Sequence, residues 1–584
     1  MRNASQNRAQ PPLPSLSNFL DRPGYAEALV CIVAFLTYAA SLGFGFVNDD
    51  RLQVVANQHI RSWAAVPGYF THHVWAGLDA AVIPNYYRPF FYVVFRLEYA
   101  LFGLHTLGWH LVNVGVHVVA TWLVFCFARR LLDSRIMAFV SALLFAVHPV
   151  HVESVAWISG ITDPLMTVLL LASAIAFLRW NSGDGARWYG WSLLFGALAL
   201  LTKETAAVLP LIVAAAAYAG YRDNRMSWGR IAKSTLPFVA LTAVYLAVRQ
   251  IVLHGFSHTA SNLTVTQMVL TWPKILGFYL RQLIFPYSIS PYYDMAPVST
   301  ASSLGFLLPL ALLIALALAF AWALWRSKRR AVLVNILAWT LLPILPVLYV
   351  LVFDPGELVH DRYLYASTVG VCLLAALLLQ RLSESLRSLW PPQRLQIVVV
   401  AILAVLLVAV TLPNEYYYAN DLALFSRAVQ QAPGSDVAVI NLGTVLMEHG
   451  QFARGMQMYQ ILVNRNPDNA MAHYNLGRAE YSLGHYSLAK NLIGRAIALD
   501  PRHPEWWLMY AGTEVKLGKY PQAEASVRRA LELNPTGPDF HVALGAILLA
   551  KGDREGAAAA FRKELEIHPG DPRALQGLAQ LQSQ

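Results

Sequence analysis

Long apolar blocks recur along the first 412 positions of this 584-residue chain and then stop. About 17 to 22 residues of helix cross a hydrocarbon core roughly 30 Å thick, and lipid leaves the backbone only helices or closed barrels. The blocks fall near 26–46, 107–128, 136–151, 163–179, 190–202, 205–221, 234–253, 304–325, 331–352, 363–380 and 396–412, giving about eleven crossings. Only 13% of the residues are charged and 57% are hydrophobic, whereas a soluble protein carries roughly 25% charge. An ordinary soluble enzyme is excluded. The expected fold is all-α: a polytopic helical bundle followed by a second unit of different composition.

Charge divides where the apolar blocks end. Residues 1–412 hold 28 Lys plus Arg against 17 Asp plus Glu, and residues 413–584 hold 16 against 17, so the net +10 is +11 from the apolar part and −1 from the tail. A neutral tail offers no basic surface for nucleic acid. Short cytoplasmic loops should be rich in Lys and Arg. With residues 1–25 placed inside as a cytoplasmic segment, the inner segments carry 19 basic residues and the outer ones 8. No small-residue cleavage site follows the first block, which reads as an uncleaved membrane helix. The stretch 267–285 contains Lys274 and Arg281 and is assigned to the outer face as an interfacial or re-entrant segment. An odd number of crossings leaves the tail outside the cytoplasm. Cys31, Cys126 and Cys372 lie far apart inside apolar blocks and read as packed thiols.

The tail repeats. Pro433, Pro467, Pro501, Pro535 and Pro569 are spaced by 34 residues, as are Gly450, Gly484, Gly518 and Gly552, the alanines Ala489, Ala523 and Ala557, and the aromatics Phe452, Tyr486 and Tyr520. A 34-residue unit with a turn glycine between two helices is the tetratricopeptide pattern. One helix pair cannot bury its own apolar face, so stacked units share a continuous core. About four repeats are predicted over 433–568, with 413–432 as a leading helix and 571–584 as a cap. Such an array binds a peptide or protein on its concave side, or serves as a spacer or dimerisation surface. Trp506 and Trp507 fit either a groove or the stacking core.

Acidic residues concentrate outside: of 17 in residues 1–412, 11 fall in outer segments. Polar groups near lipid are costly and mark substrate paths. The first outer segment begins GFVNDDRLQVVANQHI, placing Asp49 and Asp50 directly after the first crossing. A carboxylate there can take a proton from an alcohol, although an acidic pair also solvates many loop starts.

Several further stretches carry a family resemblance: NYYRPFFYVVFRLEYALFGLHTLGWHLVNVGVHVV, HPVHVESVAWISGITDPL at 148–165, LTKETAAVLPL at 201–211, LRQLIFPYSISPYYD at 280–294 and HDRYLYASTVG at 360–370. Together with the first outer segment and the tail, they closely resemble the transmembrane and tetratricopeptide-repeat O-mannosyltransferases of the class C glycosyltransferase superfamily (GT-C). The resemblance implies a glycosyltransferase domain over 26–412 and a periplasmic repeat domain over 413–584. It implies inverting transfer of one sugar, mannose above others, from a polyprenyl-phosphate carrier to Ser or Thr hydroxyls of exported proteins. The base then falls on Asp49 or Asp50. Guanidinium and ammonium groups stabilise a departing phosphate, which points to Arg88, Lys203 and Arg362. Each has a rival structural role: Lys203 adjoins Glu204, Arg362 adjoins Asp361, and Arg88 precedes Pro89. Further donor- or acceptor-pocket candidates are His148, His151, Glu153, Glu204, His360 and Asp361.

His148, His151 and Glu153 do not have the HExxH zinc spacing, and Pro149 interrupts a regular helix. No tightly bound cofactor or metal is expected, with a divalent-cation requirement left open. His110 and His117 share one helical face and read as interhelical packing. The partners implied are a lipid-linked sugar, membrane lipids and an acceptor protein in the repeat groove. The short arginine-bearing amino end suggests a bacterial inner membrane, which makes the sequon at Asn262 incidental. Two alternatives stand beside this one: a non-enzymatic membrane-anchored scaffold, and a related transferase acting on a glycan or lipid.

Overall fold

The computed structural model describes residues 22–76, 78, 85–222, 227–258, 263–353 and 357–583. Arg2, Arg8 and Asn262 lie outside the described residues. Among those described there is no strand; the chain is helical and divides into two compact units that meet between Gln431 and Ala432.

Among the described residues of the first unit, seven helices are long and apolar enough to cross a membrane: residues 106–132, 158–181, 228–252, 304–326, 330–348, 367–385 and 392–418. The bent pair Arg135–Ala146 and Pro149–Ala156 makes an eighth if counted as one span. The remaining three crossings placed from sequence coincide with shorter helices, Tyr25–Thr37, Arg187–Thr202 and Leu209–Arg222. Tyr25–Thr37 has 13 residues, only about 20 Å of helix, and the apolar run continues as the tight turn Ala39–Gly43. The segment with Lys274 and Arg281 is a single helix, Val265–Ile284, and is not among the seven. Its sequon threonine, Thr264, is used as the N-cap, with Gln267 completing a capping box. Helix Leu304–Arg326 buries none of its residues, and Leu304 and Trp325 lie 71% and 69% open. An exposed helix this apolar and 23 residues long has the length and composition of a membrane span. All three cysteines are free.

The 52° bend at 147–148 positions the chemistry. Pro149 has no N–H to donate to the preceding turn, so the helix stops at Ala146 and restarts at Val152 in a new direction. The restart carries Glu153, Trp157 and Ser159 to the level of the first outer loop. Helix Asp421–Gln431 belongs to this unit, not to the repeats: Asp421 pairs with Arg51 and accepts from Asn48 N–H, Arg427 reaches the Ile289 carbonyl, and the Ser288 hydroxyl donates to Gln431.

The second unit contains four helix pairs, beginning with Asp436–Glu448 and Phe452–Arg465 and ending with Phe540–Ala550 and Arg554–Ile567, then the helix Pro572–Ser583. Gly450, Gly484, Gly518 and Gly552 adopt φ between +70° and +87°, the left-handed turn that explains their fixed spacing. Ala489, Ala523 and Ala557 are fully buried where the helices approach. Trp506 is a core residue, stacked between Tyr474 and His503, and the Trp507 indole donates to the Pro501 carbonyl.

Candidate active site

The first outer loop turns sharply at Asn48, whose φ of +53° is tolerated by asparagine better than by most residues. Its N–H donates to Asp421 Oδ1 at 2.7 Å. The turn presents two adjacent carboxylates to different surroundings. Asp50 is fully buried: Oδ2 accepts from Val47 N–H at 3.0 Å, and Oδ1 accepts from the Ser159 N–H at 2.9 Å and its hydroxyl at 2.5 Å. Burial pushes its pKa up to about 7 against the lowering effect of these donors. The Asp49 carboxylate takes no hydrogen bond among the described residues and lines two adjoining cavities. Burial raises its pKa, opposed by the nearby Arg362 and Arg88 guanidiniums.

The first cavity gathers the three expected cations. Arg88, Lys203 and Arg362 line it with Asp49, Trp157 and Tyr363. Each cation is held by a carboxylate distant in sequence. Arg88 grips Glu204 bidentately, Nε to Oε2 at 2.9 Å and Nη2 to Oε1 at 2.5 Å, and lies 4.5 Å from the Tyr86 ring. Lys203 Nζ lies 2.5 Å from Asp163 Oδ2, and both side chains are buried. Arg362 pairs with Glu153 through its guanidinium and donates its own N–H to Oε2 at 2.9 Å. Lys203 therefore does not pair with adjacent Glu204, nor Arg362 with adjacent Asp361. The short turn Glu204–Val208 begins directly after Lys203, which sends the two side chains apart.

The second cavity shares Asp49, Trp157 and Arg362 with the first and adds Glu153, His360, Glu357 and two tyrosines. Asp361 and Glu204 line neither cavity. Asp361 accepts from Gln282 Nε2 at 2.9 Å and from the Tyr293 hydroxyl, so it ties the proline-rich run to the His360–Arg362 turn. Burial, with the Glu153 charge beside it, raises Asp361 to about 7.

His148 and His151 lie behind the cavities. His148 Nε2 faces the Leu283 carbonyl at 3.1 Å, and His151 Nε2 faces Thr368 Oγ1 at 2.8 Å. His117 Nδ1 is 2.7 Å from the Tyr365 hydroxyl. These rings join helices at the bend. Among the described residues no three His, Cys, Asp or Glu side chains are grouped to hold a metal ion. Asp163, Trp157 and Ser159 were not singled out from sequence, although all three lie in the run HPVHVESVAWISGITDPL that carries the family resemblance.

Known proteins resemble both parts of the chain. Residues 86–253 match the family described as dolichyl-phosphate-mannose-protein mannosyltransferase, and residues 440–489, 476–514 and 513–572 match the tetratricopeptide repeat. A protein O-mannosyl-transferase of Caenorhabditis elegans is 25% identical over 443 residues, 73% of this chain and 61% of that one. The protein O-mannosyl-transferase Tmtc1 of Drosophila melanogaster is 37% identical over 198 residues, 33% of this chain and 23% of that one. The chain thus spans less than two thirds of either relative. The crystal structure of YrrB, a tetratricopeptide protein, aligns at 21% identity over 27% of this chain and 82% of its own, with a TM-score of 0.25. A mannosyltransferase-type membrane segment followed by tetratricopeptide repeats makes this chain a protein similar to the TMTC O-mannosyltransferases.

Proposed function

We propose that the chain is a membrane protein O-mannosyltransferase that takes mannose from a polyprenyl-phosphate carrier. The observation that carries this is the position of Asp49, on the wall common to a cation-lined cavity and a second, acid-lined one. A donor phosphate fits the first cavity, where Arg88, Lys203 and Arg362 supply charge that strengthens as negative charge develops on the leaving oxygen. The acceptor hydroxyl comes from the second. Asp49 takes its proton as the oxygen bonds to C1 of the sugar, the C1–O bond to phosphate breaks, and the electron pair leaves on the phosphate. Attack from the face opposite the phosphate inverts C1.

Asp50 and the three partner carboxylates serve this step by position. Asp50 fixes the loop to Ser159, while Glu204, Asp163 and Glu153 orient the cations and keep a dense positive cluster from repelling itself. The repeat domain recruits or orients the acceptor protein, and the charge bias of the loops supports a periplasmic site with the amino end in the cytoplasm of a bacterium. The test is transfer of radiolabelled mannose from polyprenyl-phosphate mannose to protein in membranes holding the full chain. Loss of transfer in Asp49→Asn supports the proposal; undiminished transfer overturns it.

A further inference from the structure

Two residues of the donor-side cavity carry a polar atom with nothing to bond. Gln53 and Trp75 line that cavity with Asp49 and the three cations, and they are only 6% and 8% exposed. Gln53 Oε1 and Trp75 Nε1 are sealed from solvent, and neither has a hydrogen-bond partner among the described residues. Native structures pair the large majority of buried side-chain polar atoms, so one acceptor and one donor left open around a single cavity require an explanation. The cations do not supply it, because each is engaged by its own carboxylate.

Both residues stand close to the groups that act on the donor. The Gln53 N–H donates to the Asp49 carbonyl at 2.8 Å, so Gln53 follows the proposed base by about one helical turn. The Val74 N–H donates to the Tyr86 carbonyl at 2.9 Å, which ties the Trp75 segment to the one that leads into Arg88. In-line transfer assigns the other walls: phosphate meets the cations, and the attacking oxygen meets Asp49. The ring hydroxyls of the sugar are left for the remaining polar atoms. A hydroxyl both donates and accepts, which matches an amide oxygen and an indole N–H. An ionised phosphate only accepts, and so cannot satisfy Gln53 Oε1.

We infer that Gln53 and Trp75 read the donor sugar: Gln53 Oε1 accepts from a ring hydroxyl, and the Trp75 indole N–H donates to the same hydroxyl or its neighbour. The inference rests on the transferase function and adds the residues that decide which sugar is taken. Selection follows because a donor without the matching hydroxyl leaves a protein atom buried and unpaired in the complex.

The experiment uses the full-length protein in membranes and radiolabelled polyprenyl-phosphate mannose, complete or lacking the hydroxyl at C2, C3, C4 or C6. For the wild type, Gln53→Met and Trp75→Phe, the penalty of each deoxy donor is its loss of kcat/KM relative to the complete donor. Comparing penalties between proteins cancels changes in the reactivity of C1. At least one deoxy donor is expected to lose roughly tenfold or more with the wild type, and that penalty should largely disappear in the variant lacking the partner atom. Gln53→Met keeps the bulk of the side chain and removes the unpaired oxygen. Its unfolding temperature without donor should therefore match or exceed that of the wild type, while the rise produced by adding the complete donor should be smaller. Penalties unchanged in a variant overturn the sugar-reading role of that residue and leave the transferase function standing. No transfer from the complete donor by the wild-type protein removes both.

Discussion

Asp50 and Ser159 are joined by two hydrogen bonds, from the Ser159 N–H at 2.9 Å and the hydroxyl at 2.5 Å, across 109 positions of sequence. The bonds occupy one Asp50 oxygen, the Val47 N–H occupies the other, and adjacent Asp49 is left facing the cavities. The two aspartates should therefore fail differently. Asp49→Asn is expected to lower mannose transfer by about 10²–10⁴-fold with unchanged thermal unfolding. Asp50→Asn places an amide where three donors converge and should cost about 1–3 kcal/mol of stability, with a smaller loss of transfer in whatever protein remains folded. Transfer assays and unfolding in detergent, made on the same samples, separate these outcomes.

The pH profile of transfer should report Asp49. Burial raises its pKa, and only the ionised carboxylate can take the acceptor proton, so activity is expected to fall as pH drops through that raised value. The acid limb then lies above the ordinary carboxylate range. Arg362 and Arg88 both oppose the shift. Removing one cation, as in Arg88→Gln, should move the limb to higher pH as well as reduce the maximum. Asp50, at about 7, could titrate in the same range. Retention of the acid limb in Asp50→Asn assigns it to Asp49, and a limb that vanishes there assigns it to Asp50.

The Lys203–Asp163 pair has both side chains nearly sealed from solvent, at 2% and 4% exposure. Removing one partner of such a pair strands the other charge, which costs about 3–5 kcal/mol, whereas apolar replacement of both is often neutral. Asp163→Ala is expected to lower the unfolding temperature sharply. The double variant Lys203→Met with Asp163→Leu should recover most of that loss and yet remain poor at transfer, with the defect in KM for the donor. Full recovery of transfer in the double variant contradicts a donor-side role for Lys203.

Scarcity made the outer charges legible. With only 8 basic residues assigned to outer segments, Arg88, Lys203 and Arg362 stood out, and all three line one cavity with Asp49. Their partners were hidden, because Lys203 and Arg362 each have an acidic neighbour in sequence while the true partners lie 40 and 209 positions away. Lys203 and Glu204 diverge because an extended residue there meets a tight turn, and no local pattern encodes where a distant carboxylate will arrive. The bend at Pro149 could be anticipated as a helix interruption, but not the direction that carries Glu153 forward to the cavity wall and leaves His148 and His151 behind it. In the tail, columns repeated at 34 residues gave the helix pairs and their turns directly.

One tail column escaped notice because a single member breaks it. Gly443, Gly477 and Gly545 lie 34 or 68 residues apart, with Ala511 in the missing place. A Cβ on each glycine meets the residue 16 positions on: Tyr459 at 2.6 Å, Ile493 at 2.7 Å and Phe561 at 2.6 Å. The equivalent partner of Ala511 is Val527, packed in the same core and smaller than the other three. Glycine is thus required where the second helix offers a large side chain, and alanine fits where it offers a valine. Gly477→Ala is expected to destabilise its repeat by about 1–3 kcal/mol through overpacking, even though alanine is the better helix former by about 1 kcal/mol. Combining it with Ile493→Val should relieve most of that cost, and Ala511→Gly should lose only the helix-forming advantage. Hydrogen exchange of the full-length protein, followed by mass spectrometry of tail peptides, reads each repeat separately. A Gly477→Ala variant whose second repeat exchanges no faster than wild type removes close packing as the reason for the column.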